Sequence, residues 1–136
     1  MHVLIIDHDH HSLQKICDFL RDKGFKCSGQ TSPVAAVFAF AFDGEPFDAV
    51  ITWHEMIGMN GMDILRVLTS IDQELPVIMH AEEITQGLSW EFTQHGGFSL
   101  IKEDEFMDQI LPALGMAETG LHSTASEELL LAVAGS

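Results

Sequence analysis

Apolar residues gather in five short runs along the chain. They lie at residues 3–6 (VLII), 25–29 (FKCSG, the most polar), 47–52 (FDAVIT), 77–79 (VIM) and 98–101 (FSLI). Runs this short, bounded by Gly, Pro or charged residues, suit strands buried on both faces. Between them the apolar period lengthens. Leu13, Ile16, Cys17 and Leu20 recur at the spacing of one helix face, as do Val34, Val37, Phe38 and Ala41. So do Ile64, Val67, Leu68 and Ile71, and again Met107, Ile110, Leu111 and Leu114. Residues 82–95 predict a further helix with Ile84, Leu88 and Phe92 inward and acids in its first turn. Five strands alternating with five helices predict right-handed βαβ units. The expected fold is therefore α/β, a doubly wound five-stranded parallel sheet flanked by five helices.

Punctuation residues support these limits. Gly24 suits the residue after a helix, and Ser32-Pro33 reads as an N-cap followed by a first helical position. Residues 43–46 (DGEP) form a turn, and Gly96-Gly97 break the fourth helix. The 25–29 run, being partly polar, is expected near a sheet edge. Phe40 and Phe42 fall off the stripe of the second helix, which is therefore apolar all round. Pro112 is expected to strain or shorten the last helix. Residues 1–116 read as one domain. Residues 117–136 lack periodicity and read as a linker or C-terminal tail. There, Thr124 and Glu127 have capping-box spacing ahead of LLLAVA, so a short helix is one alternative.

Charge narrows the function. Twenty-one acids against six Lys and Arg give a formal net charge of −15. Such a surface repels nucleic-acid phosphates and anionic membranes, so neither is expected as a partner. No apolar stretch has the length of a membrane span. Cys17 and Cys27 are too few for a disulfide framework and lack metal spacing, and both read as apolar fillers. A cytoplasmic location is expected.

In a parallel sheet the working site lies beyond the carboxyl ends of the strands. The first strand ends in DHDHH, residues 7–11, and the third in Trp53, His54 and Glu55. Asp7, His8 and Glu55 are candidate metal ligands by chemistry, imidazole and carboxylate together suiting Zn²⁺. His10 and His11 fall inside the first helix and point away, so no metal and no other cofactor is expected. His80 is expected to be buried and hydrogen-bonded. The loop after the first strand is acidic and has no Gly, which argues against a nucleotide cradle.

Taken in order, the strand ends resemble the receiver domain of two-component response regulators, a flavodoxin-like fold. The similarity spans about residues 2 to 115. It rests on VLIID, on FDAVIT followed by MIGMNGMDIL, on PVIM before a helix, and on Lys102 after the fifth strand. The family transfers a phosphoryl group from a histidine kinase to an Asp at the end of strand three. Paired acids hold Mg²⁺, and a Thr or Ser and a Lys assist. Residue by residue, Asp7 matches the first acid and Lys102 the Lys. The resemblance places His8 where the second acid belongs, Trp53 at the phosphoacceptor and Ala81 at the switch hydroxyl. Ile57 replaces the loop Pro, Glu103 replaces the Pro after the Lys, and Ser99 stands in place of a switching aromatic.

An indole offers no anionic oxygen to phosphorus. Asp7, His8, Trp53, Glu55, Ala81 and Lys102 are therefore expected to form a degenerate phosphorylation pocket. In it Trp53 plugs the space between Asp7 and Lys102, Lys102 neutralises Asp7 or Glu55, and Glu55 is a candidate standing negative charge. The expected function is signalling by protein contacts without phosphorylation, and not catalysis. It would suit the N-terminal regulatory part of a transcriptional or other response regulator. The alternatives are a stand-alone adaptor or decoy for a kinase or regulator, and a metal- or ligand-sensing doubly wound domain. The partners implied are a histidine kinase, an output domain or a second copy. The resemblance places such contacts on the helix 4–strand 5–helix 5 face, with Trp90, Phe98, Ser99 and Phe106 as interface candidates.

Overall fold

The computed structural model of the protein describes residues 1–42 and 44–120. The parallel strands are β1 (His2–Ile6), β2 (Lys26–Gln30), β3 (Ala49–Trp53), β4 (Val77–Ala81) and β5 (Ser99–Lys102). They alternate with α1 (His10–Asp22), α2 (Pro33–Phe42), α3 (Gly61–Ile71), α4 (Gln86–Gln94) and α5 (Phe106–Glu118). A 3₁₀ turn, Glu103–Glu105, leads into α5. The sheet order is β2-β1-β3-β4-β5. The five predicted strands and five helices are all present, and the partly polar β2 lies at the edge. The expected boundary after residue 116 moves, because residues 117 and 118 complete α5 and residues 119 and 120 form a turn; the rest of the proposed tail, with its Thr124–Glu127 capping spacing, lies outside the described residues.

Alternation along each strand sends side chains into two core layers. Val3, Ile5, Ala49, Ile51 and Ile78 pack with α1 and α5. Leu4, Ile6, Val50, Val77 and Met79 pack with α2, α3 and α4. Strands buried on both faces are why the runs carry so few polar residues. The predicted face of α1 is buried at all four positions. Gly24 follows the α1 cap at φ +92°, a left-handed conformation that suits glycine.

Four expectations shift. The predicted stripe of α2 is out of phase: Ala36 is buried and Val37 and Phe40 pack on the core, while Val34, Phe38 and Ala41 are exposed. A helix apolar on all sides carries no periodic signal to set its rotation. Residues 82–84 precede α4, because the Thr85 side chain accepts the Leu88 N–H at 3.0 Å and starts the helix there. The acids thus lie outside its first turn, and Ile84 is exposed. In α3, Ile71 is 53% exposed, and Met62 and Leu65 are buried instead. Pro112 does not shorten α5, which continues to Glu118. Asp108, whose carbonyl loses its helical partner to Pro112, lies on the same exposed side, where water can satisfy it.

Candidate functional site at the carboxyl edge of the sheet

Asp7 follows β1 and is only 2% exposed. Its Oδ1 accepts the backbone N–H of Asp9 at 2.9 Å. Asp9 in turn caps α1, accepting N–H bonds from His11 at 2.9 Å and Ser12 at 3.2 Å. The amides of Ser12 and His11 hold the Asp9 carboxyl below its ordinary pKa. Both acids of the DHDHH stretch are thus committed to their own backbone. His8 is exposed, with Nδ1 3.7 Å from Asp7 Oδ1, and His10 and His11 are exposed on α1.

The end of β3 is dominated by rings. Trp53 is partly buried, packs against the α2–α3–α4 layer and tilts over His80 at 4.8 Å between centroids. The parallel register places the two side by side, Trp53 opposite His80. His80 is fully buried, and its ring also stacks on Phe106 at 4.2 Å. Its Nδ1 lies 2.8 Å from Glu103 Oε2. A carboxylate acceptor assigns the proton to Nδ1, which leaves Nε2 bare, and among the described residues Nε2 has no partner. Burial pushes the His80 pKa down. The Glu103 hydrogen bond, and the charges of Glu103, Asp7 and Glu55, pull the other way without overcoming it. The imidazole is therefore neutral at pH 7.

Lys102 departs from expectation. Its side chain is half exposed, and among the described residues the carboxylate near its Nζ is Asp104, at 4.0 Å. It pairs with neither Asp7 nor Glu55. The 3₁₀ turn after β5 brings Asp104 close, while Glu103 is drawn inward to His80. Glu55 instead spans two loops. Both of its carboxylate oxygens face the Glu82 N–H, at 3.1 and 3.3 Å. Ala81, beside it in the chain, is fully buried.

The loop after β3 is held by backbone. The His54 N–H donates to His80 O, and the Gly61 N–H donates to His54 O, both at 2.9 Å. A Cβ on Gly61 would lie 2.9 Å from His54 Cα and from Trp53 O, so only glycine allows this approach. Asn60 and Asp63 form a capping box at the start of α3. That Asn-x-x-Asp spacing was legible in the sequence.

The site brings Trp53, His80, Glu103 and Phe106 together, and separately joins Glu55 to Glu82. It does not gather Asp7, His8 and Glu55 around a metal. Among the described residues no three His, Cys, Asp or Glu side chains are grouped to hold one. The residues present do not fit Mg²⁺ either. That ion wants several oxygens, whereas His8 and Trp53 supply none and Asp7 is already bonded to its own loop. Of the interface candidates, Trp90 is 67% exposed, and Phe98 and Ser99 are partly buried. Phe106 is 3% exposed and belongs to the core, because the His80 ring lies against it. The His80–Glu103 pair went unforeseen. A lone His in a buried strand, one strand away from a charged residue just past Lys102, was the available signal.

Residues 3–114 match the family model described as response regulator receiver domain. Solved structures agree on the fold. A receiver domain protein from Clostridium thermocellum is 23% identical, covers 95% of this chain and 98% of its own, and has a TM-score of 0.80. A CheY-like receiver from Methanospirillum hungatei is 16% identical, with coverages of 87% and 96% and a TM-score of 0.75. A Borrelia burgdorferi complex of CheX and CheY with BeF₃ and Mg²⁺ is 19% identical, with coverages of 88% and 89% and a TM-score of 0.79. No match is found among curated proteins. Among the described residues no helix is long and apolar enough to cross a membrane.

Proposed function

Because this chain belongs to the response regulator receiver domain family, we propose that it is an atypical receiver, one that signals through protein contacts without being phosphorylated at the end of β3. The observation that carries this reading is Trp53. It occupies the position that the resemblance assigns to the phosphoacceptor, and its partly buried indole packs against His80 and the α2–α3–α4 layer. Its Nε1 is a donor and cannot attack phosphorus. Ala81 adds no hydroxyl, and Lys102 faces Asp104. Among the described residues no three His, Cys, Asp or Glu side chains are grouped to hold a cation that would neutralise a transferring phosphoryl group.

Glu55 supports a fixed conformation. Its charge already binds the Glu82 amide at the start of the β4–α4 loop, a contact that would otherwise await an incoming anion. The contact of Trp53 with His80, and of His80 with Phe106, then locks β3, β4 and α5 in one arrangement. Output would follow from binding a kinase, an output domain or another regulator. The exposed Trp90 on α4 is a contact residue consistent with the helix 4–strand 5–helix 5 face.

Incubation with acetyl phosphate and Mg²⁺, followed by intact-mass analysis, tests this. The wild-type chain is expected to gain no phosphoryl group. An adduct mapped to residues 47–61 or to the end of β1 would refute the proposal. The triple variant His8→Asp, Trp53→Asp, Ala81→Thr serves as the positive comparison.

A further inference from the structure

We propose that α2 is a self-association face, on which the occupant is a second copy of this chain. The inference is independent of how the carboxyl-edge site is read. The ten residues of α2, PVAAVFAFAF, include no charged and no hydrogen-bonding side chain. One side is engaged: Ala36 is buried, and Phe40 stacks on Phe47 at 6.3 Å between centroids. Among the described residues nothing covers the other side. Val34, Phe38 and Phe42 recur every four residues and are 54%, 59% and 78% exposed. Such a spacing makes one continuous row on a helix. Within it Phe38 and Phe42 are stacked, 5.9 Å apart at 25°. An apolar row like this on an otherwise charged surface marks an interaction site.

Charge selects the occupant. Two copies each carrying −15 repel wherever acids face one another. Acids stand on every other helix: Asp18 and Asp22 on α1, Asp63 on α3, Glu91 on α4, Asp108 and Glu118 on α5. Close by in the chain, Lys26 pairs with Glu45. Of the helices among the described residues, only α2 lets two copies meet with no like charges between the helices. A basic partner, which the overall charge would attract, finds no carboxylate on α2 to pair with. A second copy supplies the same uncharged row, and rows of four-residue spacing pack into each other's grooves at about −50°.

The area sets the strength. Taking each Phe as about 200 Å², the exposed fractions and Val34 offer roughly 350 Å² per copy. With the flanking alanines, a pair buries on the order of 1,000 Å², at the low end of specific interfaces. Association is therefore expected to be concentration-dependent.

Sedimentation of the full chain, from about 1 to 500 μM at physiological salt, reads this directly, the range covering weak affinities. The expected result is a mass rising from one chain towards two. Phe38→Glu and Phe42→Glu, both at exposed positions, should each weaken association at least tenfold with an unchanged circular dichroism spectrum. Trp90→Glu should leave it unchanged. A chain that stays monomeric throughout would overturn the proposal. So would dissociation by Trp90→Glu but not by Phe38→Glu. Association that appears only after residues 121–136 are deleted would assign the row to the chain's own terminus and overturn it. Binding of the monomer to phosphatidylcholine vesicles, abolished by Phe38→Glu, would likewise overturn it.

Discussion

Removing the carboxylate at residue 103 should destabilise the domain from inside β4. His80 is fully buried; among the described residues its Nε2 lacks a partner and its Nδ1–H has Glu103 as its acceptor. Glu103→Ala leaves both ring nitrogens unsatisfied. Stranding a buried donor costs about 1–3 kcal/mol. Because the Glu103 side chain is 46% exposed, water can partly replace it, and about 1–2 kcal/mol is expected. Glu103→Gln keeps a neutral oxygen in reach and should cost less than about 1 kcal/mol. Acid adds to the effect. The folded-state pKa of His80 lies below its ordinary value of 6.5, so below pH 6.5 the unfolded chain binds a proton that the folded chain refuses. Stability contributed by neutral His80 is complete above that pH and falls as pH drops towards the folded-state pKa. Without Glu103 the folded-state pKa drops further, so in both variants the loss of stability that begins below pH 6.5 should continue to lower pH than in wild type. Urea denaturation of each protein at pH 7.5, 6.0 and 5.0 measures this. Stability of Glu103→Ala within 0.5 kcal/mol of wild type at every pH, below the roughly 1 kcal/mol minimum for a stranded donor, would refute the reasoning.

Other outcomes follow from single contacts. Gly61→Ala sets a Cβ against the backbone of Trp53 and His54, which cannot move aside cheaply. It should cost about 2–3 kcal/mol by chemical denaturation, and a near-neutral result would show the loop to be yielding. Glu55→Gln should speed hydrogen exchange of the Glu82 amide by roughly two- to fivefold, as a charged acceptor becomes neutral. An unchanged rate would mean that the bond contributes nothing. Burial pushes the Cys27 thiol up to about 11. At pH 8 it should react with a disulfide reagent roughly a hundredfold more slowly than a free thiol, and rapid reaction in the folded protein would contradict its burial.

The fold was legible because two-sided burial leaves an unmistakable mark. VLII, AVIT and VIM admit no polar face, and Leu13, Ile16, Cys17 and Leu20 repeat with the helical period. Legibility failed where that signal is absent. The chain of α2 is apolar at every position, so nothing in it distinguishes Phe40, which packs on Phe47, from Phe38, which faces outward. At the carboxyl edge, residue identity already showed that Trp53 and Ala81 lack the chemistry of a phosphoacceptor and a hydroxyl. Identity could not say which charges pair. Lys102 and Asp7 both stand at carboxyl ends of strands, yet β3 and β4 lie between β1 and β5, and Lys102 turns to Asp104. Glu103 reaches His80, and Glu55 reaches the Glu82 amide. Such choices depend on side-chain reach of an ångström or two, on a one-turn 3₁₀ segment after β5, and on desolvation at His80. Periodicity records which face of an element is buried. Only the assembled sheet decides which of several nearby carboxylates meets a given donor.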